Sequence, residues 1–186
     1  MFELLFKKQH FYPNEYKKTV FDVNFQKLWD SNIRIIMLDL DNTLIPYDED
    51  EPTGNIHNLF DKIKKIGFEI YIISNNKKER VKAFAKQVKA GYVYSARKPF
   101  RLGFNRAMKY ANHPNPETVC LIGDQFMTDV LGGRRMNFYV IVVDTIKRSG
   151  EKWFTKISKR FETKILKRLK RNDPDFYYNM KLDEKR

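Results

Sequence analysis

Long apolar runs are missing from this 186-residue chain. Nothing in it approaches the ~20 consecutive apolar residues that a membrane-spanning helix needs, so any membrane contact is expected to be peripheral. Cysteine is nearly absent. Cys120 is the only one, which excludes an intrachain disulfide and suits a reducing compartment. It lies in the apolar run 118–122 and reads as a small buried hydrophobe. His10, His57 and His113 show no spacing suited to metal ligation. No internal repeat or low-complexity segment is present. The N-terminal apolar run is too short for a signal peptide and contains an acid, Glu3. Together these absences lead to an expected cytoplasmic location, with any membrane association peripheral and at the inner face.

Charge is present in excess, and of one sign. The formal net charge is +13, and residues 151–171 carry nine Lys/Arg against two Glu. That concentration points to an anionic partner surface, lipid or nucleic acid. A hydrophobic content of 42% with 15% aromatics argues against a mainly disordered chain and for one domain with an appendage.

Strand-like and helix-like segments alternate from residue 33 to 143, the pattern of an α/β parallel sheet with crossover helices. Strands are expected over 33–38, 69–73, 92–94, 119–122 and 138–142. Helices are expected near 55–66, 77–90, 101–111 and 127–135, with Gly67 and Gly91 ending the first two. The expected units are an N-terminal extension (1–32) on or beside the core, a catalytic domain (33–146), and a basic C-terminal helix and tail (147–186).

In such sheets ligands bind beyond the carboxyl ends of the strands. Asp39 and Asp41, Ser74, Lys98 and Asp124 each fall just after an expected strand. Asp39 and Asp41 should share a side of their strand, and two carboxylates that close call for a cation or a shared proton. With Asp124 and Asp129 they make a hard, oxygen-rich set favouring Mg²⁺. Ser74-Asn75-Asn76 opens a helix, where free backbone N–H groups attract anions. Each residue alone has an ordinary reading. Ser74 reads as a helix cap, Lys98 as a solvated lysine before proline, and Asp129 as a first-turn acid. As a set, they suit phosphoryl transfer, which asks for charge neutralisation and positioning.

The chain resembles the haloacid dehalogenase (HAD) superfamily, whose four motifs appear in order. They are Asp39-Leu40-Asp41-Asn42-Thr43, Ser74, Lys98 and the stretch Gly123 to Asp129. Ser74-Asn75-Asn76, Ala96-Arg97-Lys98-Pro99, the segment 123–133, Phe11-Tyr12-Pro13 and the basic tail helix resemble more closely the YqeG-type phosphatases of subfamily IIIA. The resemblance implies a Rossmann-like three-layer fold and a Mg²⁺-dependent phosphomonoester hydrolase. Asp39 would be the nucleophile, and Asp41 the general acid and base. Ser74, Asn75 and Lys98 would contact the phosphoryl group. The Asp39 carboxylate, the Asp41 carbonyl and Asp124 would hold Mg²⁺, with Asp129 orienting the metal shell or Lys98. A phospho-receiver domain uses similar groups, but its Lys-Pro follows the last functional strand, whereas Lys98-Pro99 precedes Asp124.

The intervals 44–73 and 77–97 are consumed by a helix and a strand each, leaving no room for a cap domain. An open site admits large or surface-bound substrates. Trp153, Phe154, Ile157, Phe161, Ile165 and Leu169 recur at helical spacing opposite most of the Lys/Arg. Such a helix suits an anionic membrane or docks its stripe on its own domain. Relatives of the YqeG type include a mitochondrial enzyme that dephosphorylates phosphatidylglycerophosphate, so an anionic lipid phosphomonoester is the leading expected substrate. Nucleotides, nucleic-acid ends or phosphoproteins are the alternative, and a non-catalytic ribosome- or RNA-associated role the third.

Overall fold

A computed structural model describes residues 7–146 and 153–185, the side chains of 153–159 excepted. In chain order the strands are β1 (Glu15–Lys17), β2 (Ile35–Leu38), β3 (Glu69–Ile73), β4 (Gly91–Val93), β5 (Val119–Gly123) and β6 (Tyr139–Val143). The helices are α1 (Phe25–Asp30), α2 (Gly54–Ile66), α3 (Lys78–Gln87), α4 (Arg101–Tyr110), α5 (Leu131–Arg135), α6 (Trp153–Asn172) and α7 (Pro174–Asn179). One six-stranded sheet, ordered β1-β6-β5-β2-β3-β4, joins all strands in parallel.

The order follows from alternating burial. In β2, Ile36 and Leu38 face the core beneath α1, α2 and α3, whereas Ile35 and Met37 face the core beneath α4 and α5. Both faces of the central strands are therefore covered, which is why β2 and β5 read as continuous apolar runs. From β2 the chain first builds outward through β3 and β4, then returns to lay β5 and β6 on the other side. The crevice between β2 and β5 is thus a topological switch point, where an open parallel sheet binds ligands.

Two local features anchor this frame. Thr53 caps α2 by accepting from the Ile56 N–H, and Gly67 ends the helix at φ +117°. A Cβ at Gly67 would lie 2.8 Å from the Trp29 ring, so both the backbone conformation and the close approach require glycine.

The structure departs from the sequence reading in two places and decides a third that the sequence left open. The N-terminal extension contributes a strand of its own, since β1 pairs with β6 at the sheet edge. The expected helix 127–135 begins as a π-helical turn, Phe126–Val130, before becoming α5. Of the two fates open to the C-terminal stripe, its second half takes docking on the domain. Ile165 and Leu169 are buried among Phe11, Tyr16 and Val142 in the second core, while Arg160, Lys164, Lys167 and Lys170 stay exposed. The side chains of Trp153, Phe154 and Ile157 lie outside the described residues. Among the described residues no helix is long and apolar enough to cross a membrane.

Candidate active site

The strand ends bring the expected residues to one edge. Asp39 leaves β2 with its N–H still bonded to the Ile122 carbonyl of β5, which places it at the switch point. The chain then turns tightly, with the Thr43 and Leu44 N–H groups donating to the Leu40 carbonyl. Asn42 adopts φ +63°, a conformation asparagine tolerates.

Lys98 lies at the centre, buried together with Asp39, Asp124 and Asp129. Its Nζ is 2.5 Å from Asp39 Oδ1 and 2.6 Å from Asp129 Oδ1. Thr43 Oγ1 reaches Asp39 Oδ2 at 3.3 Å and Asp124 Oδ1 at 3.4 Å. Asp129 is held from behind by the Gln125 N–H and the Thr128 hydroxyl. A Cβ at Gly123 would lie 2.3 Å from Asp129 Cγ. Only glycine lets this carboxylate fold against the end of β5.

The two acids of the Asp-x-Asp pair take different partners. Asp39 turns inward to Lys98. Asp41 is half-buried and turns toward β3 and α3. It accepts from Ser74 Oγ at 3.0 Å, from Asn76 Nδ2 at 3.3 Å and from Arg80 Nε at 2.9 Å. Arg80 also pairs with Asp50 and lies 5.8 Å from the centre of the Tyr47 ring. Ser74 Oγ in turn accepts from the Asn76 N–H. The Asn75 side chain is committed elsewhere. It accepts from the Lys98 N–H at 2.7 Å and donates to the Lys98 carbonyl at 3.3 Å, so it fixes the loop that presents the lysine.

The electrostatics follow from burial. Desolvation pushes the Asp39 carboxyl up to about 7, with Asp129 and Asp41 adding to the rise and Lys98 opposing it. Burial, then the charges of Asp39 and Asp129, raises Asp124 well above the ordinary carboxylate range. Burial alone would lower Lys98, but Asp129 and Asp39 outweigh it and hold the ammonium form. Three buried carboxylates share this cluster with one lysine, which pairs with Asp39 and Asp129. Asp39, Asp124 and Asp129 each offer an oxygen within 4.8 Å of the others, and Asp124 Oδ2 is buried without a hydrogen-bond partner. An all-oxygen set with an orphaned acceptor fits a hard divalent cation.

Five participants were not singled out from the sequence. Thr43 appeared only as the last residue of the first motif and Asn76 only as part of a helix opening. Arg80 lies in the first turn of α3, where nothing in the local pattern distinguishes it from neighbouring cations. Glu162 lies on α6, yet its carboxylate accepts from the Phe126 N–H at 3.2 Å, tying the tail to the loop after Asp124. Lys185 completes that tie, 3.5 Å from Glu162 and donating to the Val143 carbonyl.

A parallel sheet carrying an Asp-x-Asp pair, a hydroxyl, a buried lysine and a carboxylate loop on successive strand ends defines a phosphatase of the haloacid dehalogenase type. More narrowly, the chain belongs to the family described as "Mitochondrial PGP phosphatase", whose sequence model matches residues 1–147. It is 37% identical over 164 residues to "Probable phosphatase YqeG" of Bacillus subtilis (strain 168), covering 88% of this chain and 94% of that one. Among solved structures, a "putative beta-phosphoglucomutase" from Thermotoga maritima shares the fold. The match has a TM-score of 0.50 at 10% identity, over 68% of this chain and 92% of that chain. An uncharacterized protein from Listeria monocytogenes serotype 4b also matches with a TM-score of 0.50, at 17% identity over 65% and 87% of the two chains.

Proposed function

We propose that this phosphatase hydrolyses a phosphomonoester through a phosphorylated Asp39, with Mg²⁺ as cofactor, and that its substrate is an anionic lipid of the phosphatidylglycerophosphate class. The observation that carries the mechanism is the divergence of the two aspartates. Asp39 sits in the buried charged cluster and Asp41 in a hydrogen-bonded, partly open pocket. Two acids in different environments can take different roles.

In the first half-reaction an Asp39 oxygen forms a bond to phosphorus as the bond to the leaving oxygen breaks. Asp41, in its protonated form, gives its proton to that oxygen. In the second, Asp41 takes a proton from water as the water oxygen bonds to phosphorus, and the bond from phosphorus to Asp39 breaks. Lys98 offsets the charge of the nucleophile and of the phosphoryl oxygens. Ser74, which donates to Asp41, would turn its hydroxyl to the phosphoryl oxygens. The carboxylates of Asp39 and Asp124 and the Asp41 carbonyl would hold Mg²⁺, and Asp129 would orient Lys98. When bound, the cation supplies charge neutralisation for the phosphoryl oxygens.

The lipid class is supported by the family's description and by the open edge. Residues 39–53 join β2 to α2, and 74–77 join β3 to α3, without an inserted helix or regular strand. A capless site accepts a headgroup presented from a surface, from the cytoplasmic side of a membrane. The test is phosphate release from phosphatidylglycerophosphate in detergent micelles with Mg²⁺, with Asp39→Asn as control. A screen of nucleotides, 5′-phosphorylated RNA and phosphopeptides runs beside it. Lipid turnover abolished by Asp39→Asn is expected, and turnover of soluble esters alone overturns the lipid assignment.

A further inference from the structure

Three segments distant in the sequence meet beside the catalytic edge, and none of them carries an acid. They are residues 7–14, 97–112 and 130–138. The first forms a short 3-10 turn at Lys8–Phe11 packed against α5. The second contains the turn that presents Lys98 and then the start of α4. The third contains α5. Hydrogen bonds join the last two, with Arg135 donating to the Pro99 carbonyl at 3.0 Å and Arg101 to the Arg135 carbonyl at 2.9 Å. His10 feels the result. Its burial first, then the charges of Arg135, Lys7, Arg134 and Arg101, lower its pKa.

Within this basic surface two apolar side chains stand out. Phe100 and Leu102 are each 54% exposed. Among the described residues, the other exposed large hydrophobics are three tyrosines and Phe21, and Phe21 lies in the turn after β1. Phe100 closes a tight turn, its N–H donating to the Arg97 carbonyl at 2.9 Å. It stands two residues beyond the lysine that pairs with the nucleophile. Arg97 and Arg101 flank it, both exposed. Exposed aromatic and aliphatic side chains ringed by cations suit the interface of an anionic bilayer. There, apolar tips enter the acyl boundary and cations meet the headgroups.

We infer that the turn carrying Phe100 and Leu102, flanked by Arg97 and Arg101, is a membrane-docking tip that seats the catalytic edge on an anionic lipid surface. The occupant is a bilayer rather than a nucleic acid, because the unpartnered groups at the tip are an aromatic and an aliphatic side chain. Stacking on bases would call for several aromatic platforms along a basic groove. The inference rests on the lipid-phosphomonoester reading for its purpose. It also makes the site's openness useful, because the membrane itself would cover the edge during turnover.

The test is co-sedimentation of the full chain with vesicles of phosphatidylcholine alone and of phosphatidylcholine with phosphatidylglycerol. Wild type, Phe100→Ser/Leu102→Ser and Arg97→Gln/Arg101→Gln are compared. Wild type should bind the anionic vesicles only, and each double variant should bind about tenfold more weakly or less. All three should keep equal turnover of p-nitrophenyl phosphate. Wild-type binding by the double variants would place attachment elsewhere, for instance on the basic face of α6, and overturn the inference. So would binding to RNA but not to vesicles. Failure of the micelle assay with intact vesicle docking would instead remove the lipid substrate and leave the surface standing.

Discussion

The catalytic edge and the C-terminal hairpin of α6 and α7 are both fastened to the same sheet, but by opposite means. The edge is held by buried polar groups, with Asp39 and Asp129 sharing a single lysine and Asp124 close beside them. The hairpin is held by a few apolar anchors, Ile165, Leu169, Tyr177 and Leu182, set into the second core. The first arrangement spends stability on poised charge, whereas the second contributes stability and does no chemistry. Changes at the edge should therefore abolish turnover with little loss of fold, and changes in the hairpin the reverse.

The sharpest division comes from Asp39→Asn, expected to lower turnover by about 10⁴-fold or more while circular dichroism and chromatographic behaviour stay those of wild type. Asp41→Asn should lose about 10²- to 10⁴-fold, the usual range for a general acid and base, with burst kinetics separating the two half-reactions. Gly123→Ala tests whether the edge is built to tolerance. The added Cβ displaces the Asp129 carboxylate and with it Lys98, so turnover should fall by about 10²-fold, more than any loss in thermal stability would explain.

The hairpin is probed by Leu169→Ala. Removing this buried side chain should cost about 2–4 kcal/mol in chemical denaturation and leave turnover of a soluble ester within a few fold at low temperature. A large loss of activity would mean that the Glu162 bond to the Phe126 N–H carries the tail's influence into the site.

The smallest effect is a pH dependence. Asp39 has a folded pKa of about 7, raised above its value of 3.8 when unfolded. A raised acid binds more protons in the folded state than in the unfolded state. Its contribution is then fully present below about pH 4 and is lost as pH rises through about 7. Metal-free protein should melt at a progressively lower temperature across that window. Added Mg²⁺ should raise the melting temperature by more at pH 8 than at pH 5, as scanning calorimetry can measure.

Much of this architecture was legible in the sequence because it depends on patterns with a short period. The strand ends carrying Asp39, Ser74, Lys98 and Asp124 follow from apolar runs that stop at polar turns, and their convergence follows from the rule for parallel sheets. What escaped was set by distance in space rather than along the chain. Arg80 lies 39 residues from Asp41, and the contact depends on how α3 packs over the β2 loop. β1 is three residues long and has no pattern of its own, so only the exposed edge of β6 makes it a strand. The fate of the tail stripe was ambiguous for a related reason. Ile165 and Leu169 would suit lipid or core equally, and only the shape of the second core, with Phe11 beside them, selects between the two.

Cys120 has so far been only a filler of β5, fully buried and with its thiol pushed well above its usual range by that burial. As the one thiol in the chain, it leaves the natural protein effectively blank to maleimide reagents. A cysteine placed at position 100 would therefore accept a spin label or fluorophore as the sole reactive thiol, without first removing a native one. The depth of such a probe in a bilayer could then be read directly, at a point two residues from the lysine that faces the nucleophile.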